Sequence, residues 1–246
     1  MNRLFRFNLT RETLVTFVAG LCMIALSLLM LLFGGDSLLD KIMSFVLRDI
    51  FMIFGLGVLF VFLYAGRNGG SVLKKIGFSG HKNVLSLGLN IIFAASLLAL
   101  FLKDGKPAGL LIIQNLYAAF YILVAGIFEA TFIYGFLRTG FEKAFGIIPA
   151  IILTSLFYSF HHAGFQPEFL HLFFVGLMYC SVFYITQNLL IVFPFFWGVG
   201  ALWDVIVSSE AGGEIKNLES FIIALVILTL SVIWLLILNF RKGKRK

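Results

Sequence analysis

Long apolar runs alternate with short polar ones along the whole chain. Uncharged stretches cover residues 14–34, 50–66 (reaching back toward Met43), 84–102, 108–128, 147–160, 170–185, 189–203 and 221–240. The fourth continues through Glu129 to residue 137 before the next charge, Arg138. A helix rises about 1.5 Å per residue and needs about 20 residues to cross the hydrocarbon core. Five or six runs reach that length. The fifth to seventh are shorter, at 14–16 residues, and end on polar groups. Short, polar-ended helices suit a bundle interior or a water-filled cavity better than a lipid-facing position. The pattern predicts an all-α, polytopic helical bundle of about eight transmembrane helices. It forms a single integral membrane domain over residues 1–246.

Composition excludes the soluble alternatives. The chain has 246 residues, 61% hydrophobic and 13% charged, with 30 Phe. A water-soluble chain of this size buries only about 70–75% of its unfolded surface, too little to hide so much apolar area. Cys22 and Cys180 both lie inside apolar runs, so no disulfide framework is implied. The first run is too long for a signal-peptide core, lacks a small-x-small cleavage site, and has Leu21 where a lipoprotein site before Cys22 wants a small residue. It is expected to be an anchor.

Charge then sets the orientation. With the N-terminus in the cytoplasm, 14 of the 19 basic residues fall on that side: Arg3, Arg6 and Arg11, the 67–82 connection, Arg138, Lys143 and the 241–246 end. Eight spans with both termini inside satisfy the positive-inside rule, and seven would put the basic end outside. The net charge of +7 is therefore expected to face the anionic headgroups of the cell membrane's lipid bilayer, not nucleic acid.

The polar residues left inside are the functional candidates, because an ionisable group in the bilayer costs several kcal/mol. Glu129 is the clearest, with 21 uncharged residues before it and eight after. His161 and His162 end the fifth run. Adjacent helical residues point about 100° apart, so one ring is expected to face the bundle and the other not. His171 is expected at the interface. Asp204 ends the seventh run behind Trp203, near Pro194, Gly198 and Gly200, which allow a kink and a close approach. Asn90, Gln114 and Asn115 are adequately explained by interhelical hydrogen bonds, and Arg48-Asp49 by a boundary pair. Glu129 lies nine residues, or about 13 Å, before Arg138. If the fifth helix starts at Pro149, a favoured first position, His161 lies about 18 Å up and the two groups share a depth. A start at Ala144 would offset them badly. A carboxylate and an imidazole together in a low-dielectric cavity can activate water.

These residues carry a resemblance. Phe128-Glu129-Ala130-Thr131-Phe132-Ile133-Tyr134-Gly135-Phe136-Leu137 resembles the first motif of the CAAX protease and bacteriocin-processing family of intramembrane endopeptidases, Glu-Glu-x-x-x-Arg followed by Gly-Phe-Leu. Phe157-Tyr158-Ser159-Phe160-His161 is similar to its second motif, Phe-x-x-x-His, at the family's typical 32-residue gap. The region from Thr186-Gln187-Asn188 to Ala201-Leu202-Trp203-Asp204 resembles the third, His-x-x-x-Asn/Asp. The family-like core covers about residues 108–208. The departures are Ala130 for the second Glu, Tyr134 for the Arg, and Gly200 or Gly198 for the third-motif His. The resemblance implies catalytic roles for Glu129, His161 and Asp204. Glu129 is the base, His161 holds the water, and Asp204 is the surviving residue of the carbonyl-polarising pair. It leaves the cofactor open between Zn2+, with Glu129 and His161 as ligand candidates, and no metal. The substrates it implies are prenylated, leader-peptide or membrane protein chains.

Two further readings stay open. The altered motif positions suit a catalytically impaired relative that binds peptides or membrane proteins as a scaffold, regulator or bacteriocin self-immunity factor. A small transporter or lipid-binding protein would need no protease chemistry, but the sequence shows no inverted repeat.

Overall fold

The computed structural model describes residues 3–67, 70–103, 113–164, 168–189 and 218–243, and the regular elements among them are all helical. Helix α1 spans Arg11–Met30 and runs on through a tight turn to Phe33. Thr10 caps it: its hydroxyl accepts from Thr13 N, while Thr10 N donates to Thr13 Oγ1. That reciprocal cap satisfies two of the N–H groups that a helix start leaves open. Helix α2 covers Leu38–Gly66, capped likewise by Ser37 and Asp40, with a π-helical middle at Phe45–Phe60. A short turn, α3 (Val72–Lys75), leads to α4 (Asn83–Lys103). Helix α5 (Ile113–Phe128) passes directly into a second π-helical stretch, Glu129–Leu137, and then α6 (Arg138–Phe145). Helices α7 (Ile147–His161), α8 (Phe169–Thr186) and α9 (Leu218–Gly243) follow.

Five segments among the described residues are long and apolar enough to cross a membrane: Arg11–Phe33, Leu38–Gly66, Asn115–Phe145, Phe169–Thr186 and Phe221–Leu238. Asn83–Ser96 and Ile147–His161 are apolar but shorter. The run at 189–203 lies almost wholly outside the described residues. Burial ranks the helices. In its most apolar window, Asn115–Phe145 is 61% buried and Phe221–Leu238 only 17%. The Glu129 segment is thus the centre of the bundle, and α9 leaves most of its leucines and isoleucines for lipid.

The second span begins earlier than the uncharged run suggested, so Arg48-Asp49 sits within a helix. The pair forms, at 3.3 Å, but Asp49 is fully buried and accepts a 2.6 Å hydrogen bond from Tyr121 Oη. Two partners make a charged residue tolerable there, where hydropathy alone would end the span. Tyr121→Phe removes the tyrosine donor and leaves the carboxylate underbonded. It is expected to destabilise the fold by about 1–3 kcal/mol, read as a lower thermal midpoint in detergent. An unchanged midpoint would mean that Arg48 alone satisfies the carboxylate.

The break between α6 and α7 is built by Gly146, at φ 89°, a conformation that side chains rarely adopt. A Cβ there would lie 2.7 Å from the Leu4 carbonyl oxygen. The N-terminal segment crosses this break and satisfies both helix ends. Arg6 N and Asn8 N donate to the Phe145 and Ala144 carbonyls, and Ile147 N and Ile148 N donate to those of Arg3 and Leu4. Helix α7 therefore starts at Ile147, two residues before Pro149, which sits harmlessly in the first turn where no N–H is needed.

Candidate active site

Glu129 is the first residue of the π-helical stretch and is 8% exposed. Its position is fixed from α2. Thr131 Oγ1 lies 2.7 Å from the carbonyl oxygens of both Gly57 and Ile127 and bridges the two segments. Gly57 lets α2 come that close, since a Cβ would meet Phe128 Cα at 2.9 Å. Gly57→Val is expected to force α2 and α5 apart at the cost of about 1–3 kcal/mol, measurable as a lowered unfolding midpoint. If the midpoint holds, the close approach is not needed for stability.

His161 is the last residue of α7, and His162 follows it in the closing turn. Both are buried. This helix end is tied on two sides. The Ser27 hydroxyl of α1 donates to the His161 carbonyl and accepts from Gly164 N, and the Ser159 hydroxyl donates to the Phe169 carbonyl at the start of α8. Glu129 Oε1 lies 3.8 Å from His161 Nε2 and 3.6 Å from His162 Nε2. Glu129 and His161 thus share a depth, as the Pro149 start required, although α7 begins at Ile147. The expectation that only one imidazole faces the bundle was wrong. The carboxylate sits between the two ring directions, and both side chains are long enough to reach it. The ring centroids are 4.4 Å apart.

The second histidine has a fixed tautomer. His162 Nδ1 is 2.9 Å from the Tyr158 carbonyl oxygen, which can only accept. Nδ1 of the neutral ring therefore carries the proton, and Nε2 offers a lone pair on the Glu129 side. One ligand atom from each of Glu129, His161 and His162 lies within 4.8 Å of the other two. A single oxygen can then stand about 2.8 Å from all three, the ordinary hydrogen-bond distance. Phe128 packs on the His161 ring at 5.1 Å and Tyr158 on the His162 ring at 4.7 Å, so the walls are aromatic.

The same donors suit a metal. One carboxylate and two imidazoles form the His2Glu set of many catalytic zinc sites, with donor-to-ion distances of about 2.0–2.2 Å. Donors already this close can gather around an ion by small side-chain rotations. The sequence reading had Glu129 and His161 as candidates and missed His162. The signal was the His-His doublet at a helix end, where both rings can bend toward one group.

The altered motif positions have visible consequences. Ala130 is buried and contributes no second carboxylate. Tyr134 stands where the family's arginine is expected. It is buried among Tyr158 and Tyr179, and its hydroxyl makes no hydrogen bond among the described residues. A buried arginine does exist four residues later. Arg138 Nε donates to the Tyr134 carbonyl at 2.7 Å, and its guanidinium stacks on Phe183 at 3.8 Å. His171 is exposed on α8, and Asp204, with Pro194, Gly198 and Gly200, lies outside the described residues.

Residues 110–206 match the family model described as type II CAAX prenyl endopeptidase Rce1-like, which supports the resemblance read from the motifs. The matched stretch contains Glu129, His161, His162 and Asp204. No curated protein and no solved structure gives a significant match to the chain.

Proposed function

Starting from an Rce1-like stretch built around a buried carboxylate and two imidazoles, we propose that this multi-pass membrane protein is an intramembrane CAAX-type endopeptidase. It cleaves peptide bonds of prenylated, leader-peptide or membrane protein substrates. The observation that carries the reading is the Glu129–His161 distance of 3.8 Å inside the matched residues. Glu129 takes a proton from the attacking water as general base, and His161 orients that water toward the scissile carbonyl. A positioned acid–base group of this kind is worth about 10²–10⁴ in rate. The family resemblance gives Asp204 the role of polarising the scissile carbonyl. A divalent ion such as Zn2+, if bound, would be held by Glu129, His161 and His162 and would lower the pKa of its water. The chain acts as one membrane domain with eight spans and both termini in the cytoplasm, a topology that its charge distribution supports.

One observation favours a second reading, a catalytically impaired scaffold or self-immunity protein: Tyr134 fills the arginine position with a buried hydroxyl that finds no partner among the described residues. Expression with candidate substrates separates the two. Wild type should process a substrate, and Glu129→Ala and His161→Ala should not. Processing that is absent in wild type, or that survives both substitutions, rejects the peptidase. A biological phenotype that persists in both variants supports the scaffold.

A further inference from the structure

A second feature lies at the end of the bundle, where the N-terminal segment, the 71–82 connection, α6 and the end of α8 meet. They form an open pocket of about 610 Å³ lined by Arg6, Lys74, Lys75, Arg138 and Lys143, with Glu142 as its one carboxylate. We infer that this cavity binds a phosphate-bearing anion, and that the headgroup of an anionic lipid is the source its position favours.

The charge balance is the first ground. Five cations from three separate segments converge on one volume, and the single acid is already engaged. Glu142 Oε2 takes Arg138 Nη1 at 2.8 Å and Tyr184 Oη at 2.8 Å, and its backbone carbonyl takes Arg6 Nε at 2.8 Å. Among the described residues Lys143 pairs with Glu12 alone, at 3.1 Å and with both side chains well exposed, a weak contact that an anion can replace. The Lys74 ammonium makes no hydrogen bond or ion pair among the described residues. Like charges gathered in this way repel one another unless a counter-charge joins them.

The second ground is that the site is built. Arg138 lines the cavity although its side chain is only 4% exposed, held by the Phe183 ring, Thr139 Oγ1 and Glu142. All three of its nitrogens already donate, to the Tyr134 carbonyl, Glu142 Oε2 and Thr139 Oγ1, so it gives the lining a fixed positive charge and leaves direct donation to the lysines. Gly77, at φ 100°, brings the 71–82 connection against Phe183, where a Cβ would come within 2.8 Å of the ring. Location is the third ground. The lining residues gather toward one end of the apolar segments, in the last turns of Asn115–Phe145 and Phe169–Thr186 and in the 71–82 connection. The charge distribution assigns this end to the cytoplasmic leaflet, where anionic lipid is concentrated. A volume of this size fits within the usual range of small-ligand sites, about 300–1,000 Å³.

The test uses the full chain, purified, and follows its thermal midpoint. One arm compares nanodiscs of phosphatidylcholine with nanodiscs that also contain phosphatidylglycerol. The other adds inorganic phosphate to protein in a neutral detergent. Wild type, Lys74→Ala/Lys75→Ala, and the control Arg241→Ala/Lys242→Ala, which removes two cations that do not line the cavity, are run in both. The expected result is a rise of several degrees with phosphatidylglycerol in wild type and control, at least halved in the Lys74/Lys75 variant. A rise with phosphate alone, lost in the same variant, keeps the site and makes free phosphate its ligand. A rise of equal size in all three proteins is general surface attraction and overturns the proposal, as does no rise in either arm.

Discussion

Glu129→Gln is expected to lower peptide-bond cleavage by about 10²–10⁴-fold while the protein stays folded. The amide has the shape of the carboxylate, and its N–H2 can donate to the Nε2 lone pair of His162 while its oxygen stays beside His161, so the contacts to the two imidazoles can be retained. It cannot take a proton from water, and that is the step on which the proposed chemistry depends. Stability should move the other way or not at all. Glu129 is 8% exposed in the centre of the bundle, and replacing a buried ionisable group by a neutral one removes a desolvation cost. The check is a pair of measurements on one preparation: cleavage of a quenched fluorescent peptide substrate, and the thermal midpoint in the same detergent. A rate within a few-fold of wild type with an unchanged midpoint would remove Glu129 from the chemistry. A lost rate with a collapsed midpoint would assign the residue to the fold instead.

Glu129 was the most legible residue in the sequence because hydropathy makes a rule and Glu129 breaks it. Long uncharged runs locate spans from composition alone, and a carboxyl group in the middle of one stands out without any knowledge of packing. Several helix bounds followed for the same reason, including those of α1, α4 and α8. What the runs could not carry is partner chemistry. Asp49 looked like a span end because a charge usually is one. Its 2.6 Å bond from Tyr121, 72 residues away, keeps it buried within α2. The start of α7 depended on a backbone feature, the positive φ of Gly146 braced by the N-terminal segment, and not on Pro149. The π-helical turns at 45–60 and 129–137 leave no mark on hydrophobic periodicity that a 3.6-residue reading would detect.

His162 shows the limit of angular reasoning. Two side chains 100° apart on a helix face different neighbours only when each neighbour is a surface. When the neighbour is a single carboxylate placed between them at the helix end, both can reach it. Sequence spacing along one helix cannot reveal that placement, because it is set by α5 and by Gly57 of α2. The basic cavity is the complementary case. Each of its cations was visible as a positive-inside charge, but their convergence from three segments depends on how the N-terminal segment folds back over Gly146.

His161→Ala and His162→Ala are expected to differ in size and to fail to add. His161 stands at the motif position for the residue that holds the water, and its loss is expected to cost about 10²–10³-fold in cleavage, in the range of a lost acid–base group. His162 is a positioning residue. Its ring is fixed by the Tyr158 carbonyl at 2.9 Å, and its Nε2 lies 3.6 Å from the Glu129 carboxylate that it helps to orient. Its loss is expected to cost about tenfold, since Glu129 and His161 remain to bind the water. If all three groups act on one water, the double variant should fall little below His161→Ala alone, because groups that work as a unit are not additive. Three readouts test this: the cleavage rates of the two single variants and the double variant, the thermal midpoints, and rescue of His162 by Gln. The glutamine amide can donate to the Tyr158 carbonyl and still present a polar atom toward Glu129. Fully multiplicative losses would place the two histidines at separate tasks, and a His162→Ala rate equal to wild type would reduce the doublet to His161 alone.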